Sequence, residues 1–233
     1  MTQPILITGA TGGVGRQLVG KLIAQDVEVR ALVRDLAQAN KFFTPQDCLQ
    51  LIEGNTNQTI TLPKAFVGAR AVICAIGAKA PAGENSPEKI DYEGVRNLVI
   101  AARNASVGRF ILVSSLGVTH PEHPLNNFGR VLDWKLKGEN VLRTSGLNYT
   151  IIRPGGLNDE SGGKTGLRVA QGDNLGSGRI SRSDVAAVCL AALDEITTCY
   201  TTFEVIAQED TPPSDLSNLF TALKTDRELG IHG

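Results

Sequence analysis

A doubly wound parallel α/β sheet is the fold class this sequence predicts, and three observations carry it. Short apolar runs alternate with helix-patterned stretches along most of the chain. The early runs are apolar at nearly every position, as strands buried on both faces must be. Three glycines spaced GxxGxxG lie between the first apolar run and the first helical stretch.

Taken in order, Pro4 to Thr8 (PILIT) reads as the first strand, short, apolar and bounded by glycine. Over residues 14–24, Val14, Leu18 and Leu22 share one helical face, with Val19 and Ile23 beside them. VEVRALV (27–33) alternates with period two at its start, and LQLIE (49–53) and AVICAI (71–76) supply two more strands. A long helix over 87–105 would bury Ile90, Val95, Leu98, Val99 and Ala102. RFILVSS (109–115) is the fifth strand, followed by a loop rich in proline and histidine. A helix over 128–145 leads into NYTIIRP (148–154), the sixth. Beyond residue 155 the pattern loosens. ESGGKTG (160–166) reads as a flexible loop, DVAAVCLAAL (184–193) as a helix, FEVIA (203–207) as a strand and DLSNLFTALK (215–224) as a terminal helix. The expected organisation is a single domain over 1–233 with strand order 3-2-1-4-5-6, in which 155–233 contributes a small substrate-side lobe.

Composition narrows the function classes. The 233 residues are 42% hydrophobic and 20% charged, which suits one well-buried core and not a disordered chain. Twenty-three Lys and Arg against 24 Asp and Glu leave a net charge of −1, so general binding to nucleic acid has no electrostatic support. No apolar run approaches the length that crosses a bilayer, and no membrane span is expected. The opening MTQPILITGA has no basic region before its apolar stretch and no Arg- and Ser-rich leader, so a cytoplasmic protein is the default expectation. Cys48, Cys74, Cys189 and Cys199 form no CxxC pair and read as scattered buried thiols. His120 and His123 form an HxxH pair with no further ligand type nearby, and no metal site is expected.

The glycine loop carries the chemistry. Gly9 permits a tight turn out of the strand, Gly12 lets backbone approach a pyrophosphate, and Gly15 allows close helix–strand packing. Thr11, Gly13 and Val14 complete the loop, and the helix that follows turns unpaired N–H groups toward the phosphates. Placed between a first strand and a first helix, this spacing marks a Rossmann-type dinucleotide site. Arg34, at the end of the second strand, stands where the adenine ribose is read. With Arg16 it would bracket a 2′-phosphate, favouring NADP over NAD. Asp35 is the rival at this position, either facing the ribose or capping a helix.

GATGGVG (9–15), ALVRD (31–35), DYEGVRNLV (91–99), ILVSS (111–115) and NYTIIRPGGL (148–157) together resemble the short-chain dehydrogenase/reductase superfamily. Within it the chain is most similar to atypical single-domain, NAD(P)H-binding, NmrA-like members of plants and cyanobacteria, especially over 120–157. The resemblance implies a catalytic Ser at Ser115 and a catalytic, ribose-holding Lys at Lys135, with Glu139 as the trailing acid. The tyrosine of YxxxK falls on Val131, which cannot donate a proton. Asp133, Tyr149, Tyr92, His120 and His123 are the candidates to replace it. Lys135 as a surface partner of Glu139, and Lys137 as a partner of Asp133, are the structural alternatives. The same likeness assigns Asn55 to the adenine, Ala75, Ile76 and Gly77 to the ribose and phosphates, and Pro154 and Gly155, with Gly156, to the nicotinamide amide. It implies an NADPH-dependent reductase of a small organic substrate or, alternatively, a non-catalytic NADP(H)-binding redox sensor or assembly factor with a protein partner. A sugar-nucleotide epimerase would need YxxxK and a larger substrate domain. Oligomeric state is not fixed by these motifs.

Overall fold

Side-chain alternation in the first strand sets the layers. In the computed structural model, which describes residues 3–233, β1 (Ile5–Thr8) sends Ile5 and Ile7 to one face of the sheet and Leu6 to the other. β2 (Val29–Val33), β3 (Leu49–Glu53), β4 (Ala71–Cys74), β5 (Arg109–Val113) and β6 (Tyr149–Pro154) join it in the order β3-β2-β1-β4-β5-β6, all parallel. This is the order the sequence predicts. Three further strands follow, β7 (Gly156–Asn158), β8 (Gly166–Ala170) and β9 (Arg179–Ser181). A long last one, β10 (Thr201–Gln208), lies parallel to β6 and carries β8 antiparallel on its far edge. The main sheet therefore has eight strands, while β7 and β9 pair alone beside it.

Helices cover both faces, as parallel strands require. α1 (Gly13–Ile23) lies on the Ile5/Ile7 side, where Leu18 and Val19 share one core with Val185 and Cys189 of a helix near the C-terminal end. Four more helices precede that one: α2 (Leu36–Ala39), α3 (Pro63–Phe66), α4 (Val95–Asn104) and α5 (Val131–Arg143), and the C-terminal one is α6 (Arg182–Asp194). Phe66 of α3, Leu98 of α4 and Leu142 of α5 pack with Leu6, Val72 and Phe110 on the opposite face.

Three of the expected helices come out differently. The helix expected over 87–105 is split: Glu88–Gly94 forms a wide π-helical turn that runs straight into α4. The helix expected from 128 starts at Val131, because Gly129 and Arg130 are both left-handed, at φ 58°. The terminal helix expected over 215–224 is absent, and only Leu216–Asn218 makes a 3-10 turn. There Asp215 accepts from the backbone and hydroxyl of Ser217 and from the Asn218 amide, and Thr221 donates to the Asn218 carbonyl. Such local bonds compete with a helical ladder.

Residues 155–233 thus supply β8 and β10 to the main sheet, α6 to one face, and the small β7–β9 sheet. A buried ionic cluster ties α5 and β6 to this part of the chain. Glu139 takes Arg153 at 2.7 and 3.0 Å and Arg143 at 2.8 Å, and Arg143 also reaches Asp226 at 3.1 Å. Burial alone would raise the Glu139 carboxyl, but the two guanidinium groups outweigh it and hold it below its usual range.

Candidate functional site

The strand order reverses between β1 and β4, and a cleft opens there at the carboxyl ends of the strands. Its main cavity, about 260 Å³, is lined by Gly9, Thr11 and Gly12 of the glycine loop, by Arg34, and by Ala75, Ile76 and Gly77 after β4. These sequence-predicted residues are therefore brought together. Gly54, which precedes Asn55 at the end of the third strand, lines it as well, as do Thr56, Lys79 and Asn85, which were not foreseen.

Each glycine of the loop has a distinct shape requirement. Gly9 is left-handed at φ +75°, and a Cβ there would meet the Ala75 carbonyl oxygen at 2.4 Å. A Cβ on Gly15 would meet the Gly9 carbonyl oxygen at 2.1 Å, so helix and strand approach through backbone. Gly12 heads α1 with no side-chain cap, and no acidic residue stands in the first turn. Val14 is 7% exposed and packs in the core, leaving only its backbone to face a ligand. Backbone N–H groups and a helix N-terminus with no acid in its first turn make a cradle that fits a pyrophosphate.

At the adenosine end Asp35 caps α2, its carboxylate accepting from the Gln38 N–H at 3.0 Å. Arg34 remains at the cavity rim and donates to the Asn85 side chain at 2.5 Å. Arg16 turns away, its guanidinium 4.7 Å above the Phe42 ring, so the two arginines have separate partners. Asn55 spends its side-chain oxygen on the Asn57 N–H at 3.0 Å, and its neighbours Gly54 and Thr56 line the cavity.

At the other end Lys135 points inward. Its ammonium lies 2.7 Å from Asp91 Oδ1, with side chains only 16% and 1% exposed. Asp91 Oδ2 accepts from the Ala78 N–H at 3.1 Å, which links Lys135 to the backbone that follows β4. The π-helical turn carries Asp91 into this position. A void of about 10 Å³ lies here between Ile76, Asp91, Ser114 and Lys135, and Ile76 also lines the main cavity. Ser114 Oγ is buried without a hydrogen-bond partner. Ser115 Oγ donates to the Leu116 carbonyl at 3.0 Å. Val131, one turn before Lys135, is half-buried.

The other predicted side chains sit elsewhere. Glu139 belongs to the buried arginine cluster, so the Lys135–Glu139 surface pair does not form. Lys137 lies 3.8 Å above the Trp134 ring, and Asp133 pairs with Arg130 instead. Tyr92 stacks on Trp134, and the buried Tyr149 hydroxyl donates to Asp226 at 2.9 Å. His120 Nε2 donates to the Asp173 carbonyl, and His123 Nδ1 accepts from the Leu125 N–H. Pro154 and Gly155 end β6 away from the main cavity. The Gly155 N–H donates to the Val205 carbonyl, and a Cβ there would meet the Gly178 oxygen at 2.5 Å, so this glycine serves close packing. Asp91 and Ser114 were missed. An acid between the apolar Ile90 and Val95 of one stripe is the signal that marks Asp91.

A protein-family model described as NAD(P)H-binding matches residues 9–196. An uncharacterized chloroplastic protein of Arabidopsis thaliana is 34% identical, over 96% of this chain and 83% of its own length. Protein TIC 62 of the same plant, also chloroplastic, is 33% identical over 96% of this chain, which spans 38% of that protein. Sanguinarine reductase of Eschscholzia californica is 32% identical over 82% of this chain and 84% of its own. Among solved structures, a Bacillus halodurans protein provisionally described as an NAD-dependent epimerase/dehydratase superposes with a TM-score of 0.83. It is 29% identical and covers 95% of this chain and 100% of its own. ChuY, an anaerobillin reductase of Escherichia coli O157:H7, superposes at 0.73 and 26% identity, over 91% of this chain and 100% of its own. The cytoplasmic expectation is corrected by these findings, since relatives matching 96% of the chain are chloroplastic and point to the plastid. Among the described residues no helix is long and apolar enough to cross a membrane.

Proposed function

This chain belongs to the NAD(P)H-binding family of atypical short-chain dehydrogenase/reductases, and we propose that it is an NADP(H)-dependent oxidoreductase of a small organic substrate that works without the usual tyrosine. The observation that carries this reading is Lys135, turned into the fold and fixed by Asp91 in a small void beside Ser114 and Ile76, the latter also lining the main cavity. A lysine kept only for solubility would not be held 2.7 Å from a buried carboxylate.

The glycine loop from Gly9 to Gly15 would seat the pyrophosphate, and Ala75, Ile76 and Gly77 would flank the adenosine ribose. Arg34 would pair with a 2′-phosphate, a role favoured because Asp35 is committed to capping α2 and leaves the rim cationic. Asn55 would offer its remaining acceptor capacity to the adenine, and Pro154 and Gly155 would border the nicotinamide. When bound, the dinucleotide supplies a hydride. Lys135 would hold the nicotinamide ribose and Ser115 would orient the substrate oxygen, while Val131 leaves the proton to be drawn from solvent. Residues 155–233 would shape the substrate side of this single domain. Relatives and neighbours named as reductases of sanguinarine and anaerobillin are consistent with an organic substrate.

The second reading is a non-catalytic NADP(H)-binding redox sensor or assembly factor with a protein partner. Val131 favours it, and so does kinship with TIC 62. A scan for NADPH oxidation with quinones, flavins, aldehydes and enones separates the two. Turnover with any of these classes is expected for the reductase. Tight NADPH binding with no turnover in any class, together with recovery of a stable protein partner, would favour the sensor.

A further inference from the structure

Arg182 opens α6, and its side chain runs back across the glycine loop. A Cβ added to Gly13 would meet Arg182 Cδ at 2.4 Å and Nε at 2.6 Å. Residue 13 thus lacks a side chain at the point where the arginine stem crosses it. Among the described residues the guanidinium has one ionic partner, Asp159, with Nη1 2.9 Å from Oδ1. That carboxylate is 86% exposed, and such a pair is weak and easily exchanged for a better anion. Beneath the guanidinium lies the start of α1, with an uncapped Gly12 and no acid in its first turn. Two sources of positive potential therefore converge on the loop, and the carboxylate paired with Arg182 is solvated.

We infer that Arg182 is a clamp for the cofactor's pyrophosphate, exchanging Asp159 for phosphate oxygens when a dinucleotide occupies the glycine loop. The inference rests on that occupancy and not on the choice between NADP and NAD. A guanidinium suits the task because it presents paired donors to phosphate and stays charged at any physiological pH. Because Arg182 belongs to α6 and Asp159 follows β7, the exchange would also release the segment after β7 whenever cofactor is bound.

Calorimetry with NADPH, NADH, ADP-ribose and adenosine 2′-monophosphate tests the clamp. Arg182→Gln keeps a side chain that reaches the δ position over Gly13 and removes the charge. It should weaken NADPH, NADH and ADP-ribose alike, by about tenfold or more, since a charge-assisted bond is lost from a group all three share. Adenosine 2′-monophosphate has no pyrophosphate and should bind Arg182→Gln as it binds the wild type. Arg182→Lys should recover part of the loss. Undiminished ADP-ribose binding by Arg182→Gln overturns the clamp alone. An equal loss of adenosine 2′-monophosphate also overturns it, by showing a distorted site. A wild-type chain that binds none of the dinucleotides takes the glycine-loop reading down as well.

Discussion

In the proposed reading, cofactor discrimination would fall to a single guanidinium. Arg34 stands at the cavity rim with only an amide partner, and the neighbouring acid is turned into a helix cap. Arg34→Ala should weaken NADP(H) by about tenfold or more and leave NAD(H) nearly unchanged, read by calorimetry, because only the former has a 2′-phosphate to lose. An equal loss for both cofactors would mean that Arg34 organises the rim through Asn85. Val131 is the second decisive position. It shares a helical face with Lys135, whose ammonium is already anchored. Val131→Tyr should raise carbonyl reduction with NADPH by roughly 10²–10⁴-fold, the usual worth of a positioned acid. Stopped-flow absorbance of NADPH would show it, and a rate that stays at the solvent background with every carbonyl class would refute this placement.

The elements differ in how openly the sequence announces them. β1, the glycine loop and α1 are legible together because their constraints are local: an apolar strand, a turn that needs φ > 0, and a helix that must touch backbone. Gly15→Ala should test the last of these. A methyl 2.1 Å from the Gly9 carbonyl must push α1 off β1, at a cost of about 1–3 kcal/mol in denaturant unfolding. An unchanged midpoint would show that the loop yields freely. The π-helical turn at Glu88–Gly94 is not legible, since its spacing only slightly rotates an ordinary apolar stripe, yet it is what aims Asp91 at Lys135. β8 is hidden for another reason. It is an antiparallel edge, with Leu167 and Val169 partly buried and Arg168 outward, so it lacks the solid apolar run of the central strands. The terminal segment misleads in the opposite direction. Leu216, Leu219, Phe220 and Leu223 carry helical spacing, and Phe220 is buried against Phe203, but the chain reaches that contact through turns. Arg182 and Ser114 acquire their surroundings only when distant segments meet, and no local pattern marks them.

Across the whole molecule, buried charge is balanced unevenly. Glu139 is doubly paired, whereas Glu204 in β10 is fully buried with neither oxygen hydrogen-bonded and Arg153 3.7 Å away. Burial raises its carboxyl to about 7, and the Arg153 guanidinium only partly offsets it. The fold thus keeps a proton that the unfolded chain gives up above about 4.5. The associated stability is whole below that value and drains away as pH rises through about 7. Glu204→Gln should therefore stabilise the protein at pH 8 by on the order of 1–3 kcal/mol and leave it unchanged at pH 4. Thermal melts at the two pH values decide it, and equal melting temperatures at pH 8 would mean that Glu204 is comfortably ionised. The strand that carries Glu204 has a further consequence, in time. β6 receives its second parallel neighbour only from residues 201–208. On the ribosome, the stretch from Pro154 to Gln208 takes roughly 3–10 s to emerge at ~5–20 residues per second. For that interval the half-built sheet presents β6 as a bare edge with its ladder groups unpaired, which makes the unfinished chain a natural client for chaperones and leaves sheet closure among the last events of its synthesis.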